Sequence, residues 1–219
     1  MLPRVLETEA MDTPAEAAGY DSMDHREVNQ VFVADLLAAR PAPGEMLDLG
    51  TGTALIPIEL CRQDPTARVL AVDVAENMLR LARRNVEQAG LGDRIRLQRI
   101  DAKGLPFAEG TFSTVISNSI VHHVPEPGDV LREAWRVAAA GGLLFIRDLM
   151  RPDDDETVQR LVDTYAADAT EHQRQMFDDS LRAALTVEEM RRFVGEFGQA
   201  AENVCATTDR HWTWMGRKV

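Results

Sequence analysis

The sequence predicts an α/β protein with a doubly wound, mostly parallel sheet. Short apolar segments with strand character alternate with segments whose apolar residues recur at helical spacing, and the connections between them are short. Residues 68–74, RVLAVDV, are almost continuously apolar, which is typical of a strand buried on both faces. Together these two observations favour parallel strands with helices covering both faces of the sheet.

The predicted elements alternate regularly as far as residue 149. Within the lead of residues 1–40, helical spacing is shown by Val28, Val31, Phe32 and Leu36. The strands are predicted at residues 45–49, 68–74, 95–100, 114–118 and 143–149. The helices between them are predicted at residues 53–62, 75–89 and 130–140, the last two ended by Gly90 and by Gly141-Gly142.

The C-terminal part departs from this alternation. Residues 153–184 have helical character throughout, within an insert of residues 153–185, and another helix is predicted at residues 187–197. A β-hairpin is predicted at residues 203–217, with its turn near Asp209. We therefore expect one domain, residues 1–219, in which the lead of residues 1–40 forms a lid and the insert a cap.

Composition and charge narrow the possible partners. The hydrophobic fraction is 45% and the formal net charge is −12, so a nucleic-acid partner is not expected, because such binding depends on basic contacts to phosphates. No apolar run reaches the length of about 18 residues that indicates a membrane span. Cys61 and Cys205 are expected in the core, without a disulfide. We expect a cytoplasmic protein, either a monomer or a homodimer.

The first strand-to-helix turn, LDLGTGTA at residues 47–54, is a candidate ligand site. Ligands of doubly wound sheets bind at the carboxyl ends of the strands, and glycines there permit positive φ and keep side chains away from a ligand. A dinucleotide fingerprint needs a third glycine where this chain has Leu55, and a phosphate loop needs a lysine that is missing here.

Acidic residues at three strand ends indicate a different ligand. Asp48 precedes the glycines, Asp73 ends the second strand and Asp101 follows the third. A carboxylate can accept both ribose hydroxyls of an adenosine, and another can accept from the adenine amino group. This pattern favours a cationic sulfonium nucleoside. Asp73 as a helix cap, and Asp48 as an acceptor for turn N–H groups, remain alternatives.

Several motifs together carry a family resemblance. LDLGTGTA, VLAVDVAENML, DAKGLPFAEGTFSTVISN, VHHV and RVAAAGGLLFIRD resemble the successive motifs of class I S-adenosylmethionine-dependent methyltransferases, over about residues 29–148. The C-terminal hairpin is similar to that family's antiparallel seventh strand. The resemblance implies a Rossmann-like, seven-stranded sheet. The family's third glycine is Ala54 here, for which we expect a slightly tighter turn.

The resemblance also implies the cofactor S-adenosyl-L-methionine, the product S-adenosyl-L-homocysteine and a set of binding residues. The turn would face the methionine part, Asp73 the ribose, and Val74 and Met78 the adenine. The complete implied set is Tyr20, Asp48, Gly50, Thr51, Gly52, Asp73, Val74, Met78, Asp101, Ala102, Asn118 and Ser119.

Two adjacent histidines are the candidate catalytic residues. His122 and His123 follow the fourth strand, and a histidine can take a proton from a substrate nucleophile. A purely structural role is the alternative. No pair of histidines has a clear metal-ligand spacing, so no metal is expected. The substrate is expected in a small enclosed pocket under the cap, formed by Tyr20, His122, Arg147, Asp148 and Arg151.

The function indicated is methyl transfer to a small-molecule nucleophile by in-line displacement. Because the sulfonium is already activated, the protein mainly orients the nucleophile and excludes water. A methyltransferase-like scaffold without turnover is one alternative. An NAD(P)-dependent oxidoreductase is another, and it is disfavoured because neither Tyr20 nor Tyr165 has a lysine four positions later.

Overall fold

The computed structural model describes residues 2–7, 12–21 and 26–219. Its internal contacts divide the chain into two compact units. The larger unit comprises Ala10–Asn118, Asp129–Ile146 and Met215–Val219. The smaller unit comprises Met1–Glu9, Ser119–Gly128 and Arg147–Trp214.

The elements follow the predicted order. The strands are β1 (Glu45–Leu49), β2 (Arg68–Asp73), β3 (Ile95–Arg99), β4 (Phe112–Asn118), β5 (Ala138–Leu149), β6 (Val204–Ala206) and β7 (His211–Arg217). The α-helices are α1 (Pro14–Asp21), α2 (Arg26–Ala38), α3 (Leu55–Gln63), α4 (Glu76–Ala89), α5 (Pro127–Val137), α6 (Asp155–Tyr165), α7 (Glu171–Ala183) and α8 (Val187–Glu196). No helix among the described residues has both the length and the apolar character that a bilayer crossing requires.

The strands form one seven-stranded sheet in the order β3-β2-β1-β4-β5-β7-β6. β1 pairs in parallel with β2 and with β4, and β2 pairs in parallel with β3. The hairpin strands β6 and β7 are antiparallel, with Val204 opposite Trp214. The predicted sheet is therefore confirmed, including its antiparallel end.

Apolar packing in the larger unit explains why these segments form their elements. Every residue of β1 after Glu45 is buried, as expected of a central parallel strand. Phe32 of α2 packs edge-to-face on Phe145 of β5, with ring centroids 5.1 Å apart. Gly90 ends α4 in the left-handed conformation, at φ 67°, as its position in the sequence predicted.

The predicted apolar stripe of α2 is partly wrong. Val28 and Val31 are 38% and 48% exposed, whereas Val33 is buried beside Phe32 and Leu36. The spacing therefore predicted the helix, but the face that α2 buries includes only two of the four spaced residues. The lead also contains α1, a helix that its weak apolar pattern did not predict.

The boundary between α5 and β5 also differs from the prediction. α5 ends at Val137, and β5 begins at Ala138, so Gly141 and Gly142 lie within the strand. Gly141 has φ +74°, and a Cβ on Gly142 would lie 2.7 Å from the carbonyl oxygen of Ala139. The glycines are therefore needed for a strand irregularity rather than for a helix end.

Two further expectations about the C-terminal part need correction. The insert is not helical throughout, because α6 ends at Tyr165 and Thr170 starts α7 with a capping box to Gln173. Cys205 is exposed rather than in the core, whereas Cys61 is buried as expected. The insert helices α6 and α7 supply most of a separate apolar cluster in the smaller unit, formed by Leu149, Val158, Leu161, Val162, Ala166, Leu181 and Ala184.

Candidate active site

The glycine turn between β1 and α3 adopts a repeated left-handed geometry. Gly50, Gly52 and Ala54 have φ values of 68°, 55° and 63°. An L-residue in this conformation costs about 1–2 kcal/mol, so Ala54 holds the geometry of a glycine under strain. The Thr51 N–H donates to the Val72 carbonyl at 2.9 Å, which ties the turn to the end of β2.

Asp73 connects the same turn to the start of α4. Its Oδ2 accepts from the Gly52 N–H and its Oδ1 from the Ala75 N–H, both at 2.8 Å. Burial raises the pKa of Asp73, and these backbone donors oppose the rise. A carboxylate has about four lone-pair positions, so both oxygens can still accept a ligand hydroxyl. Asp73 thus holds the residue that precedes α4, and it keeps lone pairs for the predicted ribose contact.

A concave pocket lies beside the turn, entirely within the larger unit. Polar side chains, among them Asp48 and Asn118, line part of its wall. The Thr53 hydroxyl on its wall is buried and has no hydrogen-bond partner among the described residues. Leaving such a group unpaired is costly, so the wall is suited to a polar ligand. The lining residues are Asn29, Asp48, Gly50, Thr51, Thr53, Leu55, Ile56 and Asn118.

Asp48 is the charged residue of this pocket wall. Its side chain is buried, with the whole residue 3% exposed. Burial raises the pKa of Asp48 to about 7, and the nearby charge of Asp73 adds to the rise. A buried carboxylate in a pocket with a perturbed pKa is a candidate ligand contact.

The residues predicted to contact the adenine differ in exposure and in their partners. Val74 is exposed, whereas Met78 is buried in a cluster with Ala17 of α1. Asp101 is exposed and accepts from the Lys103 N–H at 2.9 Å, and its other oxygen is 3.2 Å from Lys103 Nζ. The contacts of these residues with the adenine remain predictions.

The remaining residues predicted to bind the cofactor lie at the end of β4 or in the loops after β3 and β4, except for Tyr20. Asn118 ends β4 and lines the pocket. Ser119 has φ +60°, and its N–H donates to the Arg147 carbonyl at 3.0 Å. Ala102 is half-buried in the loop after β3. The Tyr20 side chain lies outside the described part of the chain.

The two histidines lie in the smaller unit, on a 3₁₀ turn at Val121–His123. His122 is buried, and its Nδ1 forms a very short contact with Asp148. Burial alone would lower the pKa of His122, but the adjacent Asp148 carboxylate raises it. For Asp148 the same pairing outweighs burial and holds its pKa below the usual range. Backbone N–H groups of Val121 and Leu149 also donate to Asp148, both at 2.6 Å.

An acidic residue that the sequence did not indicate completes this group. Glu7 Oε1 is 3.0 Å from Nδ1 of His123 and 3.5 Å from Nε2 of His122. Glu7 Oε2 accepts from the Ser180 hydroxyl at 3.0 Å. The histidine rings lie together, with centroids 4.1 Å apart. The two histidines are thus brought together with Asp148 as well as with Glu7.

The two candidate substrate arginines are buried and have protein partners in the smaller unit. Arg147 Nε donates to the Thr213 hydroxyl at 2.9 Å. Arg151 donates to the Ala184 carbonyl at 2.8 Å and to Glu189 at 2.6 Å. A substrate carboxylate would have to compete with these partners, so the predicted substrate contacts stay predictions.

Sequence reasoning missed Glu7 and part of the pocket wall. Asn29 lies on α2, and the only signal for it is a polar side chain a few residues before the buried Phe32. Thr53 directly follows the motif glycines and could have been included with them. Glu7 carries no such signal, because it lies more than 100 residues from the histidines it contacts.

Comparison with known proteins agrees with this geometry. Residues 47–146 match the methyltransferase domain family. Demethylmenaquinone methyltransferase of Thermus thermophilus is 36% identical over 116 residues, covering 53% of this chain and 52% of the relative. Malonyl-[acyl-carrier protein] O-methyltransferase of Methylococcus capsulatus is 36% identical over 132 residues, covering 59% and 47%. The chain thus spans about half the length of these relatives.

A solved structure extends the likeness of fold over nearly the whole chain. A SAM-dependent methyltransferase from Aquifex aeolicus superposes with a TM-score of 0.69 at 18% identity, covering 94% of this chain and 99% of that one. Residues 47–146 thus match the methyltransferase domain family, and nearly the whole chain shares the fold of a solved methyltransferase.

Proposed function

We propose that this protein transfers a methyl group from S-adenosylmethionine to a nucleophile on a small molecule. The observation that carries the proposal is the turn after β1, where Gly52 bonds to the strand-end carboxylate of Asp73 beside a pocket that contains Asp48. The methyltransferase domain at residues 47–146 supports the same cofactor. When bound, the cofactor supplies an activated methyl group on a sulfonium.

The residues of the larger unit suit such a cofactor by their chemistry. Asp48 offers a buried carboxylate to a cationic group, and Thr53 offers a hydroxyl that has no partner in the described part of the chain. Asp73 retains lone pairs for ribose hydroxyls while it holds Gly52 and Ala75 in place. The turn brings the backbone close to the ligand because its glycines present no side chain.

A small-molecule acceptor is supported by the two relatives, whose names specify a demethylmenaquinone and an acyl group on a carrier protein. These two acceptors differ in chemical class, so the proposal names no particular acceptor. The cytoplasmic location, the single domain of residues 1–219 and the enclosed substrate pocket stay predictions of the sequence.

Calorimetric titration with S-adenosylhomocysteine and, separately, with NADH tests the cofactor assignment. We expect micromolar binding of the former and none of the latter. Binding of NADH without S-adenosylhomocysteine would overturn the proposal in favour of an oxidoreductase.

Turnover is tested by mixing the protein with methyl-labelled S-adenosylmethionine and a panel of phenol, quinol, amine and carboxylate acceptors. Label should move to at least one acceptor class. Cofactor binding without label transfer to any of them would favour the scaffold alternative.

A further inference from the structure

Three side chains in the smaller unit have the composition and spacing of a metal-ligand set. Glu7, His122 and His123 each offer one ligand atom, and these atoms lie within 4.8 Å of one another. The Glu7 oxygen is 3.0 Å and 3.5 Å from the nearest nitrogens of the two histidines. Ligands at about 2.0–2.1 Å from a zinc ion lie about 2.9–3.4 Å apart, depending on the coordination geometry. The 3.0 Å separation lies within this range, and the 3.5 Å separation lies slightly above it.

Two of the three ligand atoms are buried without a satisfactory hydrogen bond. Glu7 Oε1 and His123 Nδ1 have no hydrogen-bond partner among the described residues, although they lie 3.0 Å apart. A buried polar atom that lacks a partner is unfavourable in a folded protein. An ion bound by both atoms would satisfy both of them at once.

The third ligand atom is oriented by Asp148. Because the Asp148 carboxylate lies against Nδ1 of His122, the proton of a neutral imidazole is held on that nitrogen. Nε2, which lies toward Glu7, then carries the free lone pair. A carboxylate behind a ligand histidine is the usual arrangement in protein metal sites, where it fixes the tautomer and increases the basicity of the ligand.

The fixed charges around the cluster also favour a cation. Glu7 and Asp148 are acidic, and Arg4 is the neighbouring base. Arg4 directs its guanidinium to backbone carbonyls, including those of Ala183 at 2.6 Å and Val124 at 2.9 Å. With neutral histidines, these three side chains leave the cluster with one net negative charge.

We propose that Glu7, His122 and His123 bind a divalent transition-metal ion such as Zn²⁺ or Co²⁺. Imidazole nitrogens with one carboxylate oxygen suit these ions, and three protein ligands leave a further position for water. Metal binding would link the N-terminal segment, through Glu7, to the histidine turn. It would also occupy the lone pair that a general base needs at His122, so the ligand and base roles exclude each other.

The test uses the full chain without a tag, after chelator treatment and dialysis. Zn²⁺ binding is measured by calorimetry, and Co²⁺ binding by its visible absorption spectrum. We expect one ion per chain, with micromolar or tighter affinity and a Co²⁺ spectrum that reports nitrogen and oxygen ligands. Glu7→Gln and His123→Gln should each weaken Zn²⁺ binding at least tenfold. His172→Gln is the matched control, because His172 is exposed on α7 outside the cluster.

Circular dichroism and melting of each metal-free variant show whether it is folded. The less buried Glu7 and His123 are chosen for substitution because His122 is almost completely enclosed. Failure of the parent protein to bind one ion, or equal Zn²⁺ affinity in the parent and both folded variants, would overturn the proposal. Equal weakening in the His172 variant would do so as well.

Discussion

Two buried aspartates, one in each unit, are in opposite electrostatic situations. Asp148 is surrounded by donors, with His122 and several backbone N–H groups against its oxygens, and its pKa is lowered despite complete burial. Asp48 is also buried, but it lies near another acidic residue, Asp73, and its pKa is raised to about 7. The difference indicates that the donors around Asp148 outweigh its burial, whereas at Asp48 the burial outweighs a hydrogen bond from Thr51. We predict that Asp48 binds a cationic ligand.

The largest expected effect is on Asp148. Asp148→Asn should lower the free energy of unfolding by about 3–5 kcal/mol, because it removes the charge that partners buried His122 and places an amide N–H₂ against backbone donors. Urea denaturation at pH 7 measures the change. A loss below about 1 kcal/mol would show that the pair is not a stabilising one.

The corresponding substitution at Asp48, Asp48→Asn, should change the free energy of unfolding in the opposite direction. Above pH 7 the Asp48 carboxylate is ionised at the expense of stability, because its pKa in the folded protein lies above the unfolded value of 3.8. Asp48→Asn should therefore raise the free energy of unfolding at pH 8, by at most about 4 kcal/mol at 1.36 kcal/mol per pKa unit. Urea denaturation of the ligand-free protein at pH 8 measures this, and destabilisation there would contradict the comparison.

The stability gain expected for Asp48→Asn depends on pH, because folding is linked to proton binding at Asp48. Between pH 4 and pH 7 the folded protein binds a proton at Asp48 that the unfolded chain has lost, so the Asp48 contribution to stability decreases as the pH rises. The free energy of unfolding of Asp48→Asn should therefore be close to that of the parent at pH 4. By pH 8 it should exceed the parent's by nearly the full expected amount. Melting of both proteins across this range is the measurement, and a constant difference would contradict the assigned cause.

Asp48→Asn should bind the cofactor more weakly than the parent, although the ligand-free variant is expected to be more stable. If Asp48 contacts a cationic group of the cofactor, its loss removes a charge-assisted hydrogen bond worth about 1.5–3 kcal/mol. The variant should bind S-adenosylmethionine at least tenfold more weakly than the parent at pH 8, by calorimetry. Unchanged affinity would mean that Asp48 serves the turn and not the ligand.

The smallest effect is expected at Ala54. Ala54→Gly would relieve about 1–2 kcal/mol of left-handed strain but would lose about 0.5–1 kcal/mol through the greater freedom of the unfolded chain. The buried methyl group is lost too, so the net change should stay within about 1 kcal/mol. Gly52→Ala, at φ 55°, is the matched reverse change and should destabilise the protein in the same urea assay.

The sequence predicted the turn well and the histidine group only in part, for a physical reason. The function of Gly50, Gly52 and Asp73 depends on local backbone geometry and on strand order, which a periodic sequence reveals. The partner Glu7 is brought to His122 and His123 only by tertiary packing, so no local pattern indicates it.

The errors in the predicted fold have a similar origin. Gly141-Gly142 is locally indistinguishable from a helix stop, and it becomes a strand irregularity because Gly141 and Gly142 exchange backbone hydrogen bonds with Lys218. Val31 has the residue type and spacing of a core position, yet α2 packs with a different face. In both cases distant parts of the chain decide the outcome.

The central claim is that the turn and Asp73 form the binding site of an adenosine-containing cofactor. Calorimetric titration of S-adenosylhomocysteine into the parent, into Asp73→Ala and into the control Asp93→Ala tests it most directly, because Asp93 is an exposed carboxylate outside the turn. We expect the control to bind as the parent does and the folded Asp73 variant to bind at least tenfold more weakly, since hydrogen bonds to a charged group contribute about 1.5–3 kcal/mol each. A folded Asp73→Ala protein that binds S-adenosylhomocysteine with parental affinity would contradict the claim and leave Asp73 only its hydrogen bonds with Gly52 and Ala75.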